Sequence, residues 1–264
     1  MSDDKNQDQP LRLERDGAVG IIVLDNPPAN TWTLDSLQRF RHLLDELNDD
    51  DDIRALVITS ASDKFFSAGA DLNQFADGDT THATQAARAF GSAFEALSTF
   101  EGLTVAAING WAMGGGLEVA LACDLRVAAQ GAKMALPEAR VGLLPCAGGT
   151  QNLTRLVGEG WAKRIILCGE RVDAEQALRI GLVEEVVADG EAHQKALELA
   201  QMSCRQSPGS VAACKTLIQH TRSGDHNSAL MRERDLFVDL FRTEDQREGV
   251  NAFLEKREPH WKNR

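Results

Sequence analysis

The sequence predicts an α/β fold, on three observations. Short apolar runs rich in β-branched residues recur as far as about residue 190. Amphipathic helical patterns separate them, the alternation that layers helices on a sheet. From about Ala192 no strand signal remains, and helical patterns run almost to the C-terminus. With 264 residues, 43% of them hydrophobic, the chain can form one large core with a helical appendage.

Residues 1–9 are polar and acidic and are expected to be a mobile tail. AVGIIVLD, Ala18 to Asp25, is a buried strand, followed by the turn NPPANT. Leu37, Phe40, Leu43, Leu44 and Leu47 recur at helical spacing. Asp49 to Asp52 end that helix as a solvated loop. ALVITS is the second strand. Ala76 to Thr84 are small and polar, a mobile loop, before a helix from about Gln85 to Leu97 that sets Phe90, Phe94 and Leu97 on one face. LTVAAIN is a strand leading into Gly114–Gly116, and DLRVAA and KMALPEA are short strands. AGGTQNLTRLVG predicts a helix from near Gly149 that stops at Gly158, a residue suited to a C-terminal cap. FVDLFRTEDQREGVNAFLEKR holds two apolar helical faces split near Thr243. Such a region packs on a partner subunit or forms a lid over its own core. The expected organisation is a tail over 1–9, a catalytic core over 10–200 and a helical oligomerisation region over 201–264.

A net charge of −12 argues against nucleic acid, whose binding rests on clustered Lys and Arg. The five cysteines, Cys123, Cys146, Cys168, Cys204 and Cys214, form no CxxC pair and fit a reducing compartment. The six histidines show no HExxH pairing, so no metal is expected. The N-terminus lacks the apolar stretch of a signal peptide, and no segment approaches the ~20 apolar residues of a membrane span. A soluble cytoplasmic protein is expected.

The chemistry concentrates in WAMGGGLEVALACDLRVA, Trp111 to Ala128. Three glycines open a helix, whose N-terminus carries unpaired N–H groups and a positive dipole end. This is neither a P-loop nor a dinucleotide fingerprint, since no Lys-Ser/Thr pair or spaced acidic partner follows. The glycines serve either close approach of a ligand or tight helix packing. Glu118 lies in an otherwise apolar helix, and a buried carboxylate is costly unless paired or protonated. It either pairs with Arg126, Arg140 or Arg155, or acts as a catalytic acid or base. Glu138, after Pro137 in an apolar setting, is either an ordinary first-turn residue or a second carboxylate at the same cleft. FFSAGAD delivers a tight turn whose Ala70 N–H, with that of Gly115, would make an oxyanion hole for a thioester carbonyl.

FFSAGADL, AAINGWAMGGGLEVALACDLRVAA, LPEARVGLLPCAGGTQNLTRLVG, GLVEEVV and EDQREGVNAFLEKR, in this order, resemble the enoyl-CoA hydratase/isomerase family, the crotonases. The resemblance runs from about Leu11 to His260. It implies a spiral of ββα units with C-terminal helices that build trimers, commonly paired into hexamers. It implies an acyl-CoA thioester substrate, with coenzyme A as part of the substrate and no separate cofactor. It puts the oxyanion N–H groups on Ala70 and Gly115 and the two hydratase glutamates on Glu118 and Glu138. Ala68, Asp71, Leu72, Gly114 and Cys146 are the expected substrate contacts, with Phe253 and Lys256 supplied by a neighbouring subunit. The implied reaction is hydration of a trans-2-enoyl-CoA, with isomerisation of a 3-enoyl-CoA as the alternative. RNA binding, known among relatives with a basic first helix, is disfavoured by the acidic DSLQRFRHLLDELNDDDD.

Three positions depart from the family pattern. Asn73 stands where a Lys near the CoA is common, and PPANTWTLD lacks another. Cys146 replaces a glycine beside the catalytic water, as a tolerated thiol or as a change of substrate. Phe90, Phe94 and Trp111 are candidates for the acyl tunnel or for the core.

Overall fold

The computed structural model describes residues 10–222 and 224–263. The expected tail over 1–9 lies outside the described residues. A six-stranded sheet runs in the order Leu11–Asp16, Val19–Leu24, Ala55–Ser60, Leu103–Ile108, Leu125–Ala129, Glu185–Val187. The first pair is antiparallel, and every later pair is parallel. A second sheet joins Val172–Asp173, Lys133–Ala135, Trp111–Met113 and Phe65–Ser67. A third, of two short parallel strands, pairs Thr31–Trp32 with Gly69–Ala70.

Alternation along the strands builds two cores from one sheet. Ile22, Leu24, Leu56, Ile58 and Ile108 face a large core shared with α1 (Leu34–Asn48), α2 (Thr80–Thr99) and α3 (Gly115–Ala122). Val19, Ile21, Val23, Val57 and Val105 face the other way. In the chain order that continues with α4 (Gly149–Leu167) and α5 (Ala174–Arg179), their cover is the next helix, α6 (Ala192–Cys204), through Ala192, Ala196 and Ala200. Cover on both faces is why these strands read as unbroken apolar runs. The C-terminal part is helical as expected: α7 (Pro208–His220), α8 (His226–Leu240) and α9 (Glu244–Glu255), the last capped by the Thr243 hydroxyl.

Two expectations are corrected. The span 76–84 is not a loop throughout: α2 starts at Thr80, because the Asp79 carboxylate accepts the Thr81 N–H and caps it. The helix from Gly149 does not stop at Gly158. That residue takes a non-helical φ of 77° and breaks the run, but helix resumes at once and continues to Leu167. The strand Leu11–Asp16 was not legible, since LRLERD at the sheet edge alternates with charges and half of it is exposed.

Candidate active site

Glu118 is delivered by α3, every residue of which is buried, and is itself 3% exposed. None of the three arginines pairs with it. Arg126 donates instead to Glu184, to Leu182 O and to Cys123 O. Glu118 Oε1 accepts two backbone hydrogen bonds, from Ala147 N–H at 2.8 Å and Gly149 N–H at 2.9 Å. Burial pushes the Glu118 carboxyl up, and these two donors oppose the rise.

Glu138 opens a short 3₁₀ turn, Glu138–Val141, after Pro137. Both its carboxyl oxygens are buried without a hydrogen-bond partner among the described residues. Burial pushes its pKa up to about 7; its own backbone amide opposes this, and the Glu118 charge adds to it. The two carboxyls therefore differ in support: Glu118 is held by two N–H donors from other residues, and Glu138 by none from any other residue among those described.

Ala70 and Gly115 come together because glycines let two backbones meet. A Cβ on Gly69, at φ +94°, would lie 2.7 Å from Met113 O and 3.2 Å from Gly115 N. The Asp71 N–H donates to Trp32 O, and successive amides of a strand point opposite ways, so the Ala70 N–H points away from Thr31–Trp32. Gly115 is the first residue of α3, where N–H groups lack intrahelical acceptors.

One cavity of about 660 Å³ is lined by Ala68, Ala70, Gly114, Gly115, Glu118 and Glu138, and further by Leu72 and Cys146. The Cys146 thiol is pushed up to about 11, by burial and by the two glutamate charges. Eight of the eleven expected site residues thus share one space. Asp71 does not line it; its carboxylate caps the turn Leu72–Phe75 through the Asn73 N–H. Phe253, 83% exposed on α9, and Lys256, just beyond it, also lie outside the cavity of the single chain. Of the aromatic candidates, Phe90 lines the cavity. Phe94 stacks edge-on with Trp32 and Phe40 in the core, and Trp111 sits with Phe65, Lys64 and Arg171. Sequence reasoning missed Ala83 of α2, hidden by the loop assignment, Ala86 and Ala87, which lay in the predicted helix without being singled out, and the wall formed by Val141, Leu143 and Leu144. No group of three or more His, Cys, Asp or Glu among the described residues is placed to hold a metal ion. No described helix is long and apolar enough to cross a membrane.

The chain belongs to the enoyl-CoA hydratase/isomerase family, whose profile matches residues 14–264. It is 36% identical over 246 residues to the short-chain-enoyl-CoA hydratase of Clostridium acetobutylicum, across 93% of this chain and 94% of that one. It is 37% identical over 255 residues to the 2,3-dehydroadipyl-CoA hydratase of Escherichia coli, across 96% and 99% of the two chains. Among solved structures, Pseudomonas aeruginosa DspI is 60% identical with a TM-score of 0.95, across 99% of this chain and 100% of that one. An enoyl-CoA hydratase from Bacillus anthracis is 34% identical with a TM-score of 0.93, across 97% and 100%. The fold is the crotonase-like spiral with a helical C-terminal region.

Proposed function

We propose that this protein adds water across the double bond of a trans-2-enoyl-CoA to give a 3-hydroxyacyl-CoA. The observation that carries the reading is the pair of unequally supported carboxyls, Glu118 and Glu138, in one cavity with two backbone amides. Burial raises both carboxyls, but only Glu118 accepts amide hydrogen bonds from other residues that oppose the rise, and unlike surroundings of this kind let two carboxyls divide acid and base roles. The names of the relatives, which include several enoyl-CoA hydratases, support the same reaction class.

The thioester oxygen takes the Ala70 and Gly115 N–H groups. Their hydrogen bonds strengthen as the oxygen gains charge in the enolate, which lowers the barrier. Glu118, whose Oε1 is oriented by the Ala147 and Gly149 N–H groups, takes a proton from water, and the water oxygen bonds to C3. Glu138, protonated near neutral pH, gives its proton to C2. Each turnover leaves Glu118 protonated and Glu138 ionised, so a proton exchange with solvent or between the two resets the site. No redox step occurs, and coenzyme A enters only as part of the substrate.

The exposed apolar residues Phe237 of α8, Phe241 at its C-terminal cap, and Phe253 and Leu254 of α9 support a subunit contact face. The assembly proposed on family grounds is a trimer or a dimer of trimers, in which Phe253 and Lys256 reach the substrate of a neighbouring copy.

Turnover of crotonyl-CoA in water enriched in heavy oxygen, followed by mass spectrometry of the product, tests the reaction. Label at the 3-hydroxyl is the expected result. A product with the substrate's mass and no incorporated oxygen would replace hydration by isomerisation.

A further inference from the structure

A buried polar cluster lies behind the oxyanion turn, and neither carboxyl uses it. Asn30 is 5% exposed and Ser67 0%. Buried polar side chains are costly unless they are hydrogen-bonded, so both have to be accounted for. Asn30 takes a left-handed φ of 52°, which asparagine tolerates better than most residues. Its side chain is bonded at both ends. Oδ1 accepts the Asn26 N–H at 2.8 Å, and Nδ2 donates to Ser60 Oγ at 2.7 Å and to Phe66 O at 3.2 Å. Asn30 thereby ties the loop before Thr31–Trp32 to the strand Phe65–Ser67.

Ser67 extends this brace to the turn. Its hydroxyl donates to Asn30 O at 2.7 Å and accepts the Gly69 N–H at 3.2 Å, so it acts as donor and acceptor at once. Ser67 also lies against α3: a Cβ on Gly116 would stand 2.8 Å from Ser67 Cβ. One residue thus meets the turn that carries the Ala70 amide and the helix start that carries the Gly115 amide. The amides on either side of Ala70 are both held. The Gly69 N–H is fixed by Ser67 Oγ, and the Asp71 N–H by Trp32 O at 3.0 Å. The Ala70 N–H lies between these two clamped peptide planes, each of them rigid. On the Asp71 side the clamp is a backbone carbonyl. On the Gly69 side it is a serine hydroxyl, bonded in turn to Asn30.

We propose that Ser67, oriented by Asn30, is a positioning residue for the Ala70 oxyanion amide. Ser67 does not line the cavity and acts through the turn. This rests on the proposed thioester site. Ser67→Ala removes the acceptor of the Gly69 N–H without adding volume. Asn30→Gly keeps the left-handed backbone accessible and removes the side chain that holds the brace. The two variants cut the clamp at different points, so either one that folds, judged by circular dichroism, decides the question.

The test reads the thioester carbonyl directly. Butyryl-CoA labelled with carbon-13 at that carbonyl is bound to the full chain, and its stretching band is recorded by infrared spectroscopy. Hydrogen bonds from oxyanion donors lower this frequency. We expect the band to lie below that of free butyryl-CoA with the wild type, and to move back towards the free position with each variant. For crotonyl-CoA, kcat should fall about tenfold or more, approaching the roughly 100- to 1000-fold of a wholly lost donor. Calorimetric affinity for butyryl-CoA should change less than about threefold, since the ground-state oxygen carries little charge. A merely structural role would weaken binding and turnover together.

A folded variant with the wild-type band and kcat overturns the inference and leaves the thioester site standing. A fall in affinity that matches the fall in kcat also overturns it. A wild-type band at the free position overturns the thioester site, and the inference with it. A lowered wild-type band without turnover of crotonyl-CoA contradicts the hydratase reading alone, and the bands of the variants still decide the role of Ser67.

Discussion

Glu118 and Gly149 form a single built contact: the Gly149 N–H donates to Glu118 Oε1 at 2.9 Å, and a Cβ on that glycine would lie 2.8 Å from the same oxygen. The first turn of α4 thus orients a carboxylate carried by α3. Replacing Gly149 by Ala should push the carboxylate off its donor while leaving the core in place. A displacement of about 1 Å near reacting atoms costs roughly 100-fold in rate. Steady-state kinetics on crotonyl-CoA, with circular dichroism as the folding control, checks this; a Gly149→Ala protein with undiminished kcat would separate the contact from catalysis.

Gly69 has the corresponding role for the oxyanion amides. Its φ of +94° and the 2.7 Å approach of Met113 O leave no place for a side chain. Gly69→Ala should tilt the Ala70 N–H away and lower kcat by about 100- to 1000-fold, the range for one lost oxyanion donor. Affinity for a saturated acyl-CoA should fall far less, since ground-state oxygen carries less charge.

The raised Glu138 pKa predicts both a rate profile and a stability profile. A general acid with pKa about 7 is protonated below that value. Hydratase kcat/KM should therefore fall as pH rises through about 7, with the same limb absent from the residual activity of Glu138→Gln. Stability follows the same direction. The folded state binds this proton more tightly than the unfolded chain, so the contribution is full below the unfolded value and is lost as pH rises through about 7. Glu138→Gln should gain about 1–2 kcal/mol over the wild type at alkaline pH and nothing in acid, after discounting for partial solvent screening. Urea titrations at two pH values would read the difference, and a gain that is greater in acid would reverse the assignment.

Arg126, buried and paired with Glu184 at the surface, tests the ion pair that Glu118 does not make. Its guanidinium is 2% exposed and meets Glu184 Oε1 at 2.5 Å. Glu184→Ala leaves the buried guanidinium without its carboxylate; a fully buried pair costs about 3–5 kcal/mol to break. A value well below that range is expected, because Glu184 is solvent-exposed and the guanidinium keeps its carbonyl acceptors at Leu182, Cys123 and Asp124. The drop should appear in the denaturation midpoint, with kcat of the folded fraction unchanged.

The strands at the sheet centre were legible because burial on both faces leaves unbroken apolar runs in Val19–Leu24 and in the first four residues of Ala55–Ser60. Glu118 was legible for a related reason: one carboxylate in a fully apolar helix has to be explained. Its actual partners were not, since Ala147 and Gly149 contribute backbone amides that no side-chain pattern encodes. The start of α2 was hidden because DGDTTHAT carries no apolar period; a single carboxylate at Asp79 decides it. The resemblance of five ordered motifs brought Ala70, Gly115, Glu118 and Glu138 together from sequence, and the one shared cavity agrees with that grouping. Asp71, drawn into the same set by its neighbours, caps a turn instead.

The most direct test of the account is the loss of enoyl-thioester absorbance when crotonyl-CoA is mixed with the wild type, Glu118→Gln and Glu138→Gln. The account predicts rapid loss with the wild type and a rate lower by roughly 100-fold or more with each variant, the scale of a lost general acid or base, at unchanged folding. Near wild-type rates in both variants would contradict the two-carboxylate site.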